Sequence, residues 1–316
     1  MHTNHAPARK LPPALKEFTG YVKYWDLSLM LLPVIAYFII FKYIPMGGIV
    51  IAFKDYKLGL GLSKSLWVGL DNYVAAFNNP FFLRAIRNTL VISVLKLAVG
   101  FPAPIILALM LNEVRHSAFK RTVQTISYLP HFLSWVIMAG ILSQLLSPNN
   151  GAVNALLKKL FNIEKPIPFL ISDNYFRGTV VISDVWKGIG WGSILYLATI
   201  SSIDPTLYEA AICDGASRFQ RVKYITLPSI MPTITIMLIL NLGSILDAGF
   251  DQIFNLYSSA VYETGDIIDT YVYRVGLVDW NYKLSTAIGL FKNLIGFALV
   301  VGANFLARGI SGNGIW

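Results

Sequence analysis

The sequence predicts an all-α membrane protein of about six transmembrane helices in one bundle, and three observations carry that reading. Of 316 residues, 55% are hydrophobic and only 14% charged, where a soluble domain carries about 25% charged residues. Apolar runs near the length of about 20 residues that crosses a hydrocarbon core as a helix recur at 27–45, 88–111, 123–146, 178–200, 230–250 and 284–307. The stretches between those runs hold most of the charge and many of the prolines.

In chain order, residues 1–26 read as a polar arm with Arg9, Lys10, Lys16 and Lys23. The first run follows without a small-residue cleavage site, so it reads as an uncleaved anchor. Pro33, the GFPAP of Gly100 to Pro104, Pro130 and Pro232 interrupt the runs; neighbouring helices re-satisfy the backbone groups that such kinks free. Between the runs, 46–87 carries a short helix that Asp71 would cap, with Tyr73, Ala76 and Phe77 in period. Residues 147–177 are marked by Pro148, Pro166 and Pro168, and 251–283 by Glu263, Asp266, Asp269 and Asp279. Lys and Arg are denser in 1–26, 112–122 and 201–229 than in the alternate loops, which orients both termini to the cytoplasm (N-in, C-in). The expected organisation is a cytoplasmic arm at 1–26, a transmembrane domain at 27–308 and a cytoplasmic tail at 309–316.

Several function classes fall away. The net charge of +9 is spread over loops with no basic, aromatic-interleaved stripe, so nucleic acid is not an expected partner. Cys213 is the only cysteine, which excludes an internal disulfide. His2 and His5 lie in the arm, His116 on a loop and His131 after Pro130, without metal-ligand spacing. No HExxH, no GxSxG and no paired catalytic carboxylates point to an intramembrane enzyme, and no cofactor is expected on this chain.

The stretch 201–229 is the most ordered polar segment. Asp204-Pro205 reads as N-cap and first helical residue. Leu207, Tyr208, Ala210 and Ala211 continue a short helix, and Asp214-Gly215 stops it, because Gly accepts the left-handed conformation. Ser217 with Gln220 fits a capping box that opens a second short helix. That helix is expected to end by Leu227, since Pro228 disfavours the α conformation before it. Such a hairpin could lie on the bilayer with Arg218, Arg221 and Lys223 at lipid phosphates, or project as a knob that another protein grips.

The spacing Glu209-Ala210-Ala211, three residues, Gly215, nine residues, Ile225-Thr226-Leu227-Pro228 resembles the EAA motif of ABC importer permeases. PMGGIVIAFKDY, WVGLDNY, NEVRHSAFKRTVQTISYLPHFLSWV, ISDVWKGIGWGSILYLA and DTYVYRVGL extend the resemblance over nearly the whole chain. They are similar to carbohydrate-type permeases for oligosaccharides, in a branch that includes alginate- and pectin-type importers. The resemblance implies the type I ABC importer permease fold, with the hairpin as the coupling helix that enters a groove on a cytoplasmic ATPase subunit. Its residues would be Glu209, Ala210, Ala211, Asp214, Gly215, Ala216, Ser217 and Arg218. It also implies a second related permease, two ATPase subunits that bind ATP and magnesium, and an external solute-binding protein meeting 46–87 and 251–283, all at the bacterial plasma (inner) membrane. The chain itself lacks GxxxxGK followed by Ser or Thr, so it does not cradle the triphosphate.

A substrate path is read from polar residues inside the runs, which cost roughly 2.5–3.5 kcal/mol each for a charge and usually face a cavity. Asp184, Lys187 and Trp191 share a face of the fourth run, with Trp186 beside them. Asn241, Ser244, Asp247 and Asp251 form a stripe on the fifth. Lys292 and Asn293 mark the sixth, and Asn88 and Lys96 the second. Trp faces suit sugar rings, Asn and Asp suit hydroxyls, and Lys96, Lys187 and Lys292 could neutralise an acidic saccharide. Plainer readings stand beside these: an Asp184–Lys187 ion pair, Gly188 and Gly192 as a packing seam, Asn241 as interhelical glue, and Trp186 and Trp191 as interfacial belt residues. An ion-coupled secondary transporter is the alternative function. It calls for an inverted repeat that the sequence does not show, and leaves the hairpin unexplained.

Overall fold

The structure is a computed structural model and describes residues 25–311. The arm expected at 1–26 and the tail at 309–316 fall mostly outside the described residues. Trp25 and Asp26 already belong to the first helix, and the last helix runs through 309–311.

Among the described residues the chain is nearly all helix. The first segment, α1 (Trp25–Phe53), outruns its apolar core because GGIVIAF continues it as a 3-10 helix. None of its apolar window is buried. A short α2 (Asp71–Phe77) follows. Asp71 is its first residue rather than its cap, and Leu70 occupies the cap position without a side-chain bond. Next come α3 (Pro80–Gly100), started by Asn79 accepting from the Phe81 N–H at 2.9 Å, and α4 (Pro102–Glu113), continued across Phe101.

The third apolar run departs from expectation. It forms α5 (Ser117–Tyr128), a 3-10 turn Leu129–Phe132 and α6 (Trp135–Leu145), bent by 108°. Ser134 caps α6 and Leu133 is extended, so one apolar run becomes a broken span. Beyond a ten-residue helix at Ala152–Phe161, α7 (Asp173–Ser201) runs for 29 residues. It packs against α3, α4 and α5. After α8 (Pro205–Cys213) the chain forms α9 (Arg218–Gly243), the elbow Ser244–Gly249, α10 (Phe250–Leu256), α11 (Ile268–Tyr273) and α12 (Tyr282–Ser311).

By length and composition, α1, α3 with α4, α9 and α12 can each cross a membrane, and the bent α5–α6 pair makes a fifth. The fourth expected run lies on α7, which is not among them. The reason is physical: Asp173, Arg177, Asp184 and Lys187 lie on this helix, and each meets a polar group of another segment of the bundle.

Three apolar clusters hold the bundle. One joins Ile92, Leu142, Phe176, Val180 and Ile253. A second joins Phe82, Tyr271 and Ile288. The third, beside the hairpin, joins Ile105, Tyr196, Ile200 and Ile230. Between the first and third, a cavity opens among α3, α7 and α9.

Candidate functional site: a capped hairpin and a polar cavity

The hairpin is built by local bonds. Asp204 Oδ1 accepts the Thr206 N–H at 2.9 Å, and Pro205 takes the first helical position, where a missing N–H costs nothing. The Thr206 N–H holds the Asp204 carboxyl below its usual range. At the other end of α8, the Ala216 N–H reaches the Ala211 carbonyl at 2.8 Å and the Gly215 N–H reaches Ile212 at 3.0 Å. This is the Schellman arrangement, which needs a left-handed residue, and Gly215 sits at φ +78°. Ser217 and Gln220 then close the expected capping box, at 3.3 and 2.7 Å.

The second helix does not stop at Leu227. It passes through a π-turn, Val222–Thr226, directly into the span. Pro228 has no N–H for the Tyr224 carbonyl and would crowd it in a regular α-helix. The Leu227 N–H bonds back to Val222, five residues away, and the Ser229 hydroxyl takes the Ile225 carbonyl at 2.7 Å. The widened turn lets the helix continue. Tyr208 and Thr226 hydroxyls, 2.9 Å apart, tie α8 to α9. Glu209, Ala210, Asp214, Gly215, Ser217 and Arg218 are exposed, and Ala211 and Ala216 half-buried.

The cavity, about 580 Å³, lies midway along the bundle among α3, α4, α7, α9 and the elbow. Lys96 enters it from α3. Its ammonium bonds Asp184 Oδ1 at 3.2 Å, the Ala248 carbonyl at 2.8 Å and Gln252 Oε1 at 2.5 Å. All three donors of the ammonium are therefore occupied. Gln252, wholly buried, gives its own amide to the Val180 carbonyl and Ser183. A Cβ at Gly249 would lie 2.8 Å from the Lys96 ammonium, and Gly249 sits at φ +92°. The left-handed backbone is what calls for glycine at that elbow.

Not every expected pathway residue reaches the cavity. Lys96, Trp191, Asn241, Ser244 and Asp247 line it, with Asp184. The stripe on the fifth run is not one helical face, because α9 ends at Gly243, and exposed Asp251 has moved into α10 away from the lining. Trp186 is exposed and turned elsewhere. Lys292 is paired with Asp269 at 2.5 and 2.7 Å. Lys187 does not pair with Asp184. It caps the broken span instead, with its ammonium on the carbonyls of Pro130, His131 and Leu133 at 3.3, 2.8 and 2.5 Å. His131 stacks flat on Trp191 at 4.5 Å between ring centres. The packing seam on α7 is also shifted: Cβ atoms at Gly190 and Gly192 would strike Ser127 and Pro104, whereas one at Gly188 would meet nothing.

At the end away from the hairpin, a polar lattice escaped sequence reasoning. Buried Asn88 donates to the Glu263 and Asp266 carbonyls and accepts from Arg177 at 2.7 Å. Glu263 bridges Arg84 and Arg87, and buried Asp266 pairs with Arg274. The acids of 251–283 and Asn88 were visible individually, but Asn88 and Glu263 meet across 175 residues of chain, and Asn88 and Arg177 across 89.

Residues 100–311 match the family described as the binding-protein-dependent transport system inner membrane component. The chain belongs to that family. Two relatives from Bacillus subtilis (strain 168) are each 46% identical over 92% of this chain. They are Protein LplB, of which 91% is covered, and the polygalacturonan/rhamnogalacturonan transport system permease protein YteP, of which 90% is covered. A crystal structure of a bacterial ABC transporter involved in import of the acidic polysaccharide alginate contains a chain 44% identical. It superposes with a TM-score of 0.86 over 94% of this chain and 99% of that one. The same likeness holds for the alginate transporter in complex with an alginate pentasaccharide-bound periplasmic protein. The permease fold expected from the EAA spacing is thus present, in a multi-pass membrane protein. Members of this family are transport subunits rather than enzymes, and the secondary-transporter alternative finds no support.

Proposed function

We propose that this chain forms half of the translocation pathway of an ATP-driven importer of oligosaccharides or polysaccharides, of the acidic alginate or pectin type. It pairs with a second, related permease in the bacterial inner membrane. An external solute-binding protein delivers the saccharide at the end carrying the Glu263 lattice. Both termini face the cytoplasm, α7 completes a set of six spans within 27–308, and 201–229 is the coupling loop.

The observation that carries this reading is the capped hairpin with no loop between it and α9. Glu209, Ala210, Ala211, Asp214, Gly215, Ala216, Ser217 and Arg218 present the surface that an ATPase subunit grips, with ATP and magnesium held on that subunit. A force on the hairpin reaches a span directly, because every turn from Arg218 to Gly243 is helical. The far end of that span opens into the elbow that walls the cavity, so the same helix connects the proposed energy input to the proposed saccharide path.

The test is co-purification with the ATPase subunits and saccharide uptake in Ala211→Trp and Gly215→Pro variants. Both variants should insert at normal yield, lose the ATPase and take up nothing. Uptake at the wild-type rate from either would remove the hairpin from the coupling role.

A further inference from the structure

The three lysines that could meet an acidic saccharide are all engaged within this chain. Lys96 has three acceptors, Lys187 has three backbone carbonyls, and Lys292 has Asp269. The cavity lining carries one lysine and two aspartates: Lys96, Asp184 and Asp247. Lys96 and Asp184 form an ion pair at 3.2 Å, which leaves Asp247 as the unbalanced charge of this wall.

Asp247 is exposed. One of its carboxylate oxygens accepts the Gly249 N–H at 3.2 Å, which fixes the side chain on the elbow. No Lys or Arg among the described residues makes an ion pair with it. The charged groups near enough to feel it are Lys96, already bound to three acceptors, and Asp269, itself an anion.

We propose that Asp247 determines charge specificity on this side of the pathway: it accepts hydrogen bonds from saccharide hydroxyls and turns substrate carboxylates away from this wall. The inference rests on the saccharide reading above. A carboxylate suits a sugar edge, since its two oxygens accept from neighbouring hydroxyls, and bonds to a charged acceptor are short and strong. The same group repels a uronate carboxylate, and a cavity screens that repulsion less than open water. A uronate chain would therefore pass with its hydroxyl edges toward Asp247 and its carboxylates toward the side that this chain does not wall. The charge that compensates an acidic substrate then belongs to the second permease.

The experiment measures binding of a galacturonate trisaccharide and of galactotriose, its uncharged counterpart, to the intact transporter complex in nanodiscs by isothermal titration. Asp247→Asn keeps an oxygen for the Gly249 N–H and removes the charge. The preference for the acidic over the neutral trisaccharide should rise roughly three- to tenfold. Asp247→Glu, which keeps the charge, should leave the preference within about twofold of wild type. An unchanged or reduced preference in Asp247→Asn, or the same rise in Asp247→Glu, overturns the inference and leaves the importer reading standing. Failure of wild type to bind either trisaccharide, with neither stimulating ATP hydrolysis in the presence of the binding protein, overturns the saccharide reading and the inference with it.

Discussion

Lys96→Met keeps the length of the side chain, deletes its charge, and strips three acceptors of their donor. Gln252 is wholly buried, so its oxygen has no water to turn to, and leaving such a group unmade costs about 1–3 kcal/mol. The Ala248 carbonyl on the elbow loses a charged donor as well. Asp184 becomes a carboxylate without a cation. Its side chain is 36% exposed, so solvent takes up much of that loss, and the charge contributes about 1 kcal/mol rather than the 3–5 kcal/mol of a fully buried broken pair. The total is about 3–5 kcal/mol, a large part of a stability of about 5–15 kcal/mol. Lys96→Met/Asp184→Asn removes both charges and should cost about 1 kcal/mol less than the sum of the single variants, because the unpaired carboxylate is counted once only. Equilibrium unfolding in mixed micelles with increasing dodecyl sulfate measures all three variants. A Lys96→Met cost below about 1 kcal/mol, or singles that simply add, would refute the view that Lys96 clamps the elbow.

Gly190→Ala places a Cβ 2.1 Å from the Ser127 carbonyl oxygen, so it should destabilise by about 2–3 kcal/mol through overpacking of α5 on α7, read in the same unfolding assay; Gly188→Ala, which meets nothing, should be silent. Gly215→Ala has open space but a φ of +78°, so a cost of about 1 kcal/mol from the left-handed conformation is expected, with ATPase co-purification retained. The Glu263 carboxyl is held below its usual 4.5 by Arg87 and Arg84, so its contribution is present above that value and lost as pH falls through the lowered one. Acidification from about pH 6 to 3 should therefore lower the melting temperature of wild type more than that of Glu263→Gln.

The parts of this protein that were legible in the sequence are those built from local rules. Asp204, Gly215, Ser217 and Gln220 act within five residues of themselves, and each takes the role that its type and spacing announce. Pro228 misled because its preference is local while the π-turn that accommodates it is a property of the whole preceding turn. The break at Ser244–Gly249 was hidden for the opposite reason. Residues 241–251 keep a helical spacing of polar side chains, but the elbow is held by Lys96, 152 residues away from Ala248 in the chain. Lys187 was read against its neighbour Asp184, yet the bend 54 to 57 residues earlier frees three carbonyls that an ammonium satisfies better. Charge pairing across a bundle depends on which helices meet, and the runs of one chain do not state that.

The single cysteine offers the most direct test of the central claim. Cys213 is the last residue of α8, exposed beside Asp214 and Gly215. A photo-crosslinker attached there in the wild-type chain should join it to an ATPase subunit in the assembled transporter, and assembly should shield Cys213 from a soluble maleimide. Free labelling at an unchanged rate in the complex, with crosslinks to lipid alone, would contradict the account.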